Sequence, residues 1–276
     1  MKKRLILHIG VIIMLVTFLV ASIIYTINHF VKAHREDKEF KRLEEIVTID
    51  DNNNEGDTLS NFDEDSQIEN QTNENGNIGT QNSKITNYSN MDLSSLKIEN
   101  NDLVGWIKID GTNISYPVMQ NGNYYLKRNF YKRYSEYGTP FLQENCDVRK
   151  SDNLVTYGHH MNNKTMYSAI DNYKNYDFYR NHKYIKFYTI EDGKTKESLY
   201  EVCFIFKTVS TGEGYKYYSY TNFYDMDEYN EFVSGCKNIQ LYDTGVQTEY
   251  GDKFITMSTC EYSQKNGRMV IVGRKI

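Results

Sequence analysis

Residues 5–27 form a run of 23 mostly apolar positions, with His8, Thr17 and Ser22 as mild interruptions. A helix through it, at about 1.5 Å per residue, reaches roughly 34 Å, enough to cross a hydrocarbon core. A cleaved leader would have an apolar stretch of about 7–15 residues closed by a small-residue cleavage site. Here the run continues past Val20-Ala21-Ser22, so an uncleaved anchor is the reading. Lys2, Lys3 and Arg4 predict a cytoplasmic N-terminus (residues 1–4) and a C-terminal domain outside the cell. Lys32 and Arg35 on the far flank pull weakly the other way.

Residues 28–90 divide into two kinds of chain. The first twenty are charged, with scattered apolar positions (Phe30, Val31, Phe40, Leu43, Ile46, Val47), and predict a juxtamembrane helix continuing outward. From Thr48 onward Asn, Asp, Glu, Ser, Thr and Gly dominate. Such a stretch buries too little apolar surface to offset the entropy of ordering. It predicts an acidic disordered linker that extends the reach of the domain from the membrane. It has no spaced ligand loop of the calcium-binding kind.

Residues 91–276 carry 23 Lys+Arg and 23 Asp+Glu, so the net charge of −5 belongs wholly to residues 1–90. Neither part has a basic excess, which argues against a nucleic-acid partner. Cys146, Cys203, Cys236 and Cys260 show no CxxC or Cys/His ligand spacing, so neither zinc nor another metal is expected, and no cofactor. Their irregular spacing also argues against a disulfide framework in a domain large enough to fold on its core.

The same region alternates like a mostly β domain. Val104-Gly105-Trp106-Ile107-Lys108-Ile109 and Ile114 to Val118 read as paired strands across an Asp110-Gly111 turn. Further strands are predicted at residues 139–142, 153–157, 184–188, 199–209, 254–257 and 268–272. Short helices are predicted after Asp92, over residues 164–173 and 176–181, and over residues 226–236. Pro140 predicts an edge or a kink. The Tyr- and base-rich residues 124–137 read as an amphipathic surface segment, with a substrate wall as the alternative.

Three groups with chemistry follow strand patterns. Thr256-Met257-Ser258-Thr259-Cys260 ends one strand with a thiol, and Arg268 opens the next. Tyr157-Gly158-His159 ends another with an imidazole, and His160 is its rival. A thiolate is favoured beside a cation, and a guanidinium can hold an oxyanion. Taken singly, each has a plainer explanation: a buried small thiol, a surface arginine, a loop histidine.

Together these residues resemble the sortase family, class B within it. Thr256-Met257-Ser258-Thr259-Cys260 is similar to the family's TLxTC motif, with Met257 where Leu is commoner, a volume-conserving swap. Arg268, Tyr157-Gly158-His159-His160-Met161, Asn163-Lys164-Thr165-Met166-Tyr167 and the segment from Asp102 to Val118 match as well. The resemblance covers residues 91–276. It implies a closed eight-stranded β-barrel with a few peripheral helices after one transmembrane helix. It further implies a membrane-anchored cysteine transpeptidase with Cys260 as nucleophile, His159 as acid/base and Arg268 as oxyanion cation. Its expected partners are secreted proteins bearing a C-terminal sorting motif and an amine of a peptidoglycan precursor. Ser258, Thr259, Glu261, Tyr262 and residues 215–220 are expected near the substrate. A membrane-tethered cysteine peptidase, a pilus-building sortase and a non-enzymatic surface binding domain are the alternatives.

Overall fold

The alternating runs become eight strands. In the computed structural model, which describes residues 2–48 and 91–276, these are β1 (Leu103–Lys108), β2 (Ser115–Met119), β3 (Phe141–Leu142), β4 (Asn153–Tyr157), β5 (Tyr184–Glu191), β6 (Lys194–Val209), β7 (Phe254–Glu261) and β8 (Gly267–Lys275). They close into a barrel in the order β1-β2-β3-β4-β7-β8-β6-β5. The closed eight-stranded barrel that the resemblance implies is therefore present. The β2–β3 and β4–β7 pairs are parallel, the other six antiparallel.

Closure needs one long strand that changes partners. β6 pairs with β5 along its first half and with β8 along its second, and a register shift between Val202 and Phe204 makes the bend. The β5–β6 hairpin turns on Asp192 and Gly193, with φ of 52° and 76°, the positive pair that a tight hairpin demands. A closed barrel has no open edge, so Pro140 is not an edge-strand residue. It precedes β3 by one position, and its carbonyl accepts from the Met119 N–H at 2.9 Å. Pro117 lies inside β2 opposite Trp106, where its missing N–H is tolerated because β2 meets β3 only at Met119.

Helices α2 (Ser94–Glu99), α3 (Tyr176–Asn181) and α4 (Met226–Ile239) lie outside the barrel. Asp225 caps α4 by accepting from the Glu228 N–H at 2.9 Å. The apolar stripe of α4 (Tyr229, Phe232, Val233, Cys236) is buried, and the Phe232 ring lies 5.4 Å from that of Phe254 on β7. Residues 164–173 are not the α-helix their pattern predicts. Lys164 and Met166 take positive φ (62° and 57°), and a 3-10 helix forms later, over Tyr167–Lys174.

The N-terminal helix α1 (Lys2–Val47) runs through both the apolar run and the juxtamembrane stretch. By length and composition it is able to cross a membrane. Its last three turns pack on the barrel, with Glu36, Phe40, Leu43 and Val47 all buried. Glu44 accepts from Lys108 Nζ at 3.1 Å and from the Ser115 hydroxyl at 2.7 Å. The globular unit expected to begin at residue 91 thus also takes in the end of α1. The predicted acidic linker falls, but for Thr48, outside the described residues. Its flanks are joined: Thr48 bridges Met91, and the Asp92 N–H donates to the Val47 carbonyl at 2.7 Å.

Candidate active site

Strand register brings the three groups with chemistry together. β4 runs parallel to β7 with Asn153 opposite Phe254 and Tyr157 opposite Ser258. Continuing that offset past the strand end places His159 beside Cys260. On the other side of β7, Cys260 is the direct antiparallel partner of Arg268. Neighbouring strands lie about 4.8 Å apart, so imidazole, thiol and guanidinium stand in a row on adjacent strands. All three residues are half-buried and line one cavity of about 300 Å³.

Local packing explains the Tyr-Gly-His sequence. A Cβ at Gly158 would sit 2.5 Å from the Tyr167 ring, so only glycine lets the chain turn there. The Gly158 N–H donates to the Ser258 carbonyl (3.2 Å), and the Thr259 hydroxyl donates to the Gly158 carbonyl (2.8 Å). The His159 carbonyl accepts from the Tyr167 N–H at 2.9 Å. Its Nε2–H donates to the Leu126 carbonyl at 2.8 Å. That bond fixes the tautomer of the neutral ring, with the hydrogen on Nε2 and the lone pair on Nδ1.

His160 does not line this cavity. Its Nδ1–H donates to the Cys260 carbonyl (3.0 Å), and its ring lies 5.2 Å from that of Tyr262. Arg268 donates from one guanidinium nitrogen to the Gly267 carbonyl at 2.9 Å, which steers the group along the strand end.

The four residues expected near the substrate separate. Ser258 shares the face of Cys260 by the period of two; its hydroxyl is bonded to the Tyr217 hydroxyl at 2.6 Å. Thr259 borders the cavity, though its hydroxyl is held by Gly158. Tyr262 is exposed, and its hydroxyl donates to the His160 carbonyl at 2.9 Å. Glu261 and Tyr262 border not this cavity but an open depression over the β7–β8 turn. Within residues 215–220, Tyr217 and Tyr218 line the cavity. Leu126, Phe141 and Asn123 line it too and were not singled out from sequence. The signal for Leu126 was its being the one aliphatic side chain in the Tyr- and base-rich segment.

Glu261 is instead an electrostatic brace. Its carboxylate is 3% exposed and meets Lys174 Nζ at 2.7 Å and Lys207 Nζ at 3.5 Å. Burial alone would raise its pKa, but bonds from Lys174 and Ser263 outweigh burial and hold it at about 2, below the ordinary 4.5. A lowered carboxylate pKa means stability present above about pH 4.5 and lost as pH falls toward 2. Glu261→Gln is expected to cost about 2–3 kcal/mol at neutral pH and to flatten the acid limb of the stability curve. Urea melts between neutral pH and pH 3 check this, and parallel curves for the two proteins would refute it.

A closed barrel carrying a cysteine, a histidine and an arginine at adjacent strand ends defines a thiol acyl-transfer enzyme class. The sortase-domain family profile matches residues 107–276. The chain belongs to the sortase family and is a cysteine transpeptidase of the sortase B type. It is 30% identical over 199 residues to sortase B of Staphylococcus aureus, spanning 70% of this chain and 78% of the relative. The sortase B structure from Clostridium perfringens aligns with a TM-score of 0.59 and 31% identity, covering 66% of this chain and 98% of that one. A Staphylococcus aureus sortase B–substrate complex aligns with a TM-score of 0.59 and 30% identity, covering 67% and 84%. Its general task is cell-wall sorting of surface proteins.

Proposed function

We propose that Cys260 is the nucleophile, His159 the acid and base, and Arg268 the oxyanion cation of a membrane-anchored sorting reaction. The observation that carries this reading is the register placing positions 159, 260 and 268 side by side around one cavity. The substrate is the C-terminal sorting motif of a secreted protein. The Cys260 thiolate attacks the carbonyl of its threonine, forming a C–S bond and a tetrahedral oxyanion beside Arg268. As the C–N bond breaks, the imidazolium of His159 gives its Nδ1 proton to the leaving amine. A thioester remains. An amine of a peptidoglycan precursor then attacks it, neutral His159 takes the surplus proton, and the thiolate leaves as the new amide forms. The apolar part of α1 crosses the cell membrane once, with the N-terminus cytoplasmic and the barrel outside. Supporting this assignment, His159 lines the cavity while His160 faces away from it.

The test is intact-mass analysis of the full chain in lipid vesicles with a pool of sorting-type peptides, with and without an oligoglycine or a diamino-acid amine. A Cys260 acyl adduct and an amine-dependent product support transpeptidation. Adduct with hydrolysis only, at every amine tried, supports the peptidase alternative. No adduct together with a Cys260 inert to alkylation would leave a binding domain.

A further inference from the structure

The Tyr- and base-rich segment runs from the Cys260 cavity, which Leu126 lines, to α1, where the Ser135 hydroxyl donates to Glu36. The apolar run of α1 ends at Ile27, and Lys32 follows five residues on, about 8 Å along the helix. Lys32 pairs with Glu136 (3.2 Å), and its Nζ lies 5.6 Å from the Tyr134 ring. Arg128 sits between two rings, 5.9 Å from Tyr134 and 5.4 Å from Tyr124. Two residues before Arg128 is Leu126, whose carbonyl holds His159. Tyr134, Tyr124 and Leu126 are 56%, 42% and 42% exposed, unusual for large apolar side chains in one strip.

Charge points the same way. Residues 124–137 hold four cations (Lys127, Arg128, Lys132, Arg133) and one carboxylate, within a domain whose charges balance only when this strip is included. Lys132 pairs with Asp102 and Arg133 with Glu39. Among the described residues, Lys127 and Arg128 have no carboxylate partner. Amphipathic rings with unpaired cations between them match the headgroup layer of a membrane, and anionic lipid draws each cation.

We propose that this strip lies on the outer surface of an anionic bilayer, with Lys127 and Arg128 taking lipid phosphates and Tyr124, Leu126 and Tyr134 seated among the headgroups. The cavity mouth then opens at the membrane surface, where a lipid-linked amine arrives. The proposal rests on the anchor reading of α1.

The experiment uses the full chain in vesicles containing dibrominated phospholipid, with Tyr134→Trp as a fluorescent reporter. The native Trp106 is fully buried in the barrel, so the wild-type chain serves as the blank. Flotation reads the anchor, and quenching of the introduced indole reads the strip. The expected result is flotation in every lipid, with quenching in phosphatidylglycerol-rich vesicles and much less in pure phosphatidylcholine. At about fivefold per cation, replacing both by glutamate (Lys127→Glu with Arg128→Glu) lowers the docked-to-undocked ratio ~25-fold or more. A chain that floats but leaves the reporter unquenched in both lipids overturns the strip and spares the anchor. Equal quenching in both lipids, unchanged by charge reversal, also overturns it. A chain that fails to float overturns the anchor reading and the strip with it.

Discussion

Cys260→Ala is expected to end acyl transfer and leave the barrel folded. Removal of the attacking atom lowers the rate by about 10³-fold or more, because no neighbouring group can form the thioester. The fold does not need this sulfur. Cys260 is half-buried at a strand end, while Cys146, Cys203 and Cys236 are buried. Burial pushes the Cys146 thiol up to about 11 and the other two further in the same direction. A brief alkylation at neutral pH should therefore mark one site. The mirror experiment is Cys203→Ala. Cys203 is 1% exposed, with Sγ 3.3 Å from the Val272 carbonyl, so its loss is expected to lower the melting temperature and spare activity. Peptide turnover and a thermal melt on both variants decide the matter. A Cys260→Ala chain that still turns over peptide, or that unfolds, would remove Cys260 from the reaction.

Much of this site was legible because its residues follow strands. A run such as Phe254-Ile255-Thr256-Met257 can only be buried, and a polar cap after it must lie at a rim where chemistry has solvent access. The Tyr-Gly-His turn was readable as a strand end, although the reason for its glycine, the Tyr167 ring, lies in tertiary contact. The place of Glu261 was readable and was missed: alternation along β7 puts it on the face opposite Cys260. The docking of α1 left a fainter trace. Glu36, Phe40, Leu43 and Val47 are spaced to share one helix face, but charges crowd the rest of the segment and hide the stripe. The Leu126 carbonyl that orients His159 left no trace at all, since a backbone contact across 33 residues has no side-chain pattern. The pairing of Thr48 with Met91 was equally invisible.

Arg268 carries the second large expectation. It is the cross-strand partner of Cys260, so its side chain reaches the space where a carbonyl attacked by that sulfur must sit. One nitrogen is held by the Gly267 carbonyl, and a guanidinium has four further N–H groups to direct elsewhere. If those N–H groups bind the oxyanion, Arg268→Ala lowers kcat by about 10²–10³-fold and changes KM little, because the charge exists only near the transition state. If Arg268 only grips the ground-state peptide, KM rises and kcat holds. The oxyanion role predicts the first pattern. It also predicts that hydrolysis and amine transfer fall together, since acylation passes through the same oxyanion in both. Arg268→Lys should recover only part of the rate, a point charge replacing a planar fork. Cys260 should remain alkylatable in all three proteins, which separates loss of the cation from loss of the fold. Steady-state kinetics on the wild type and two variants supply the answer, and a pure KM effect would reassign Arg268 to substrate positioning.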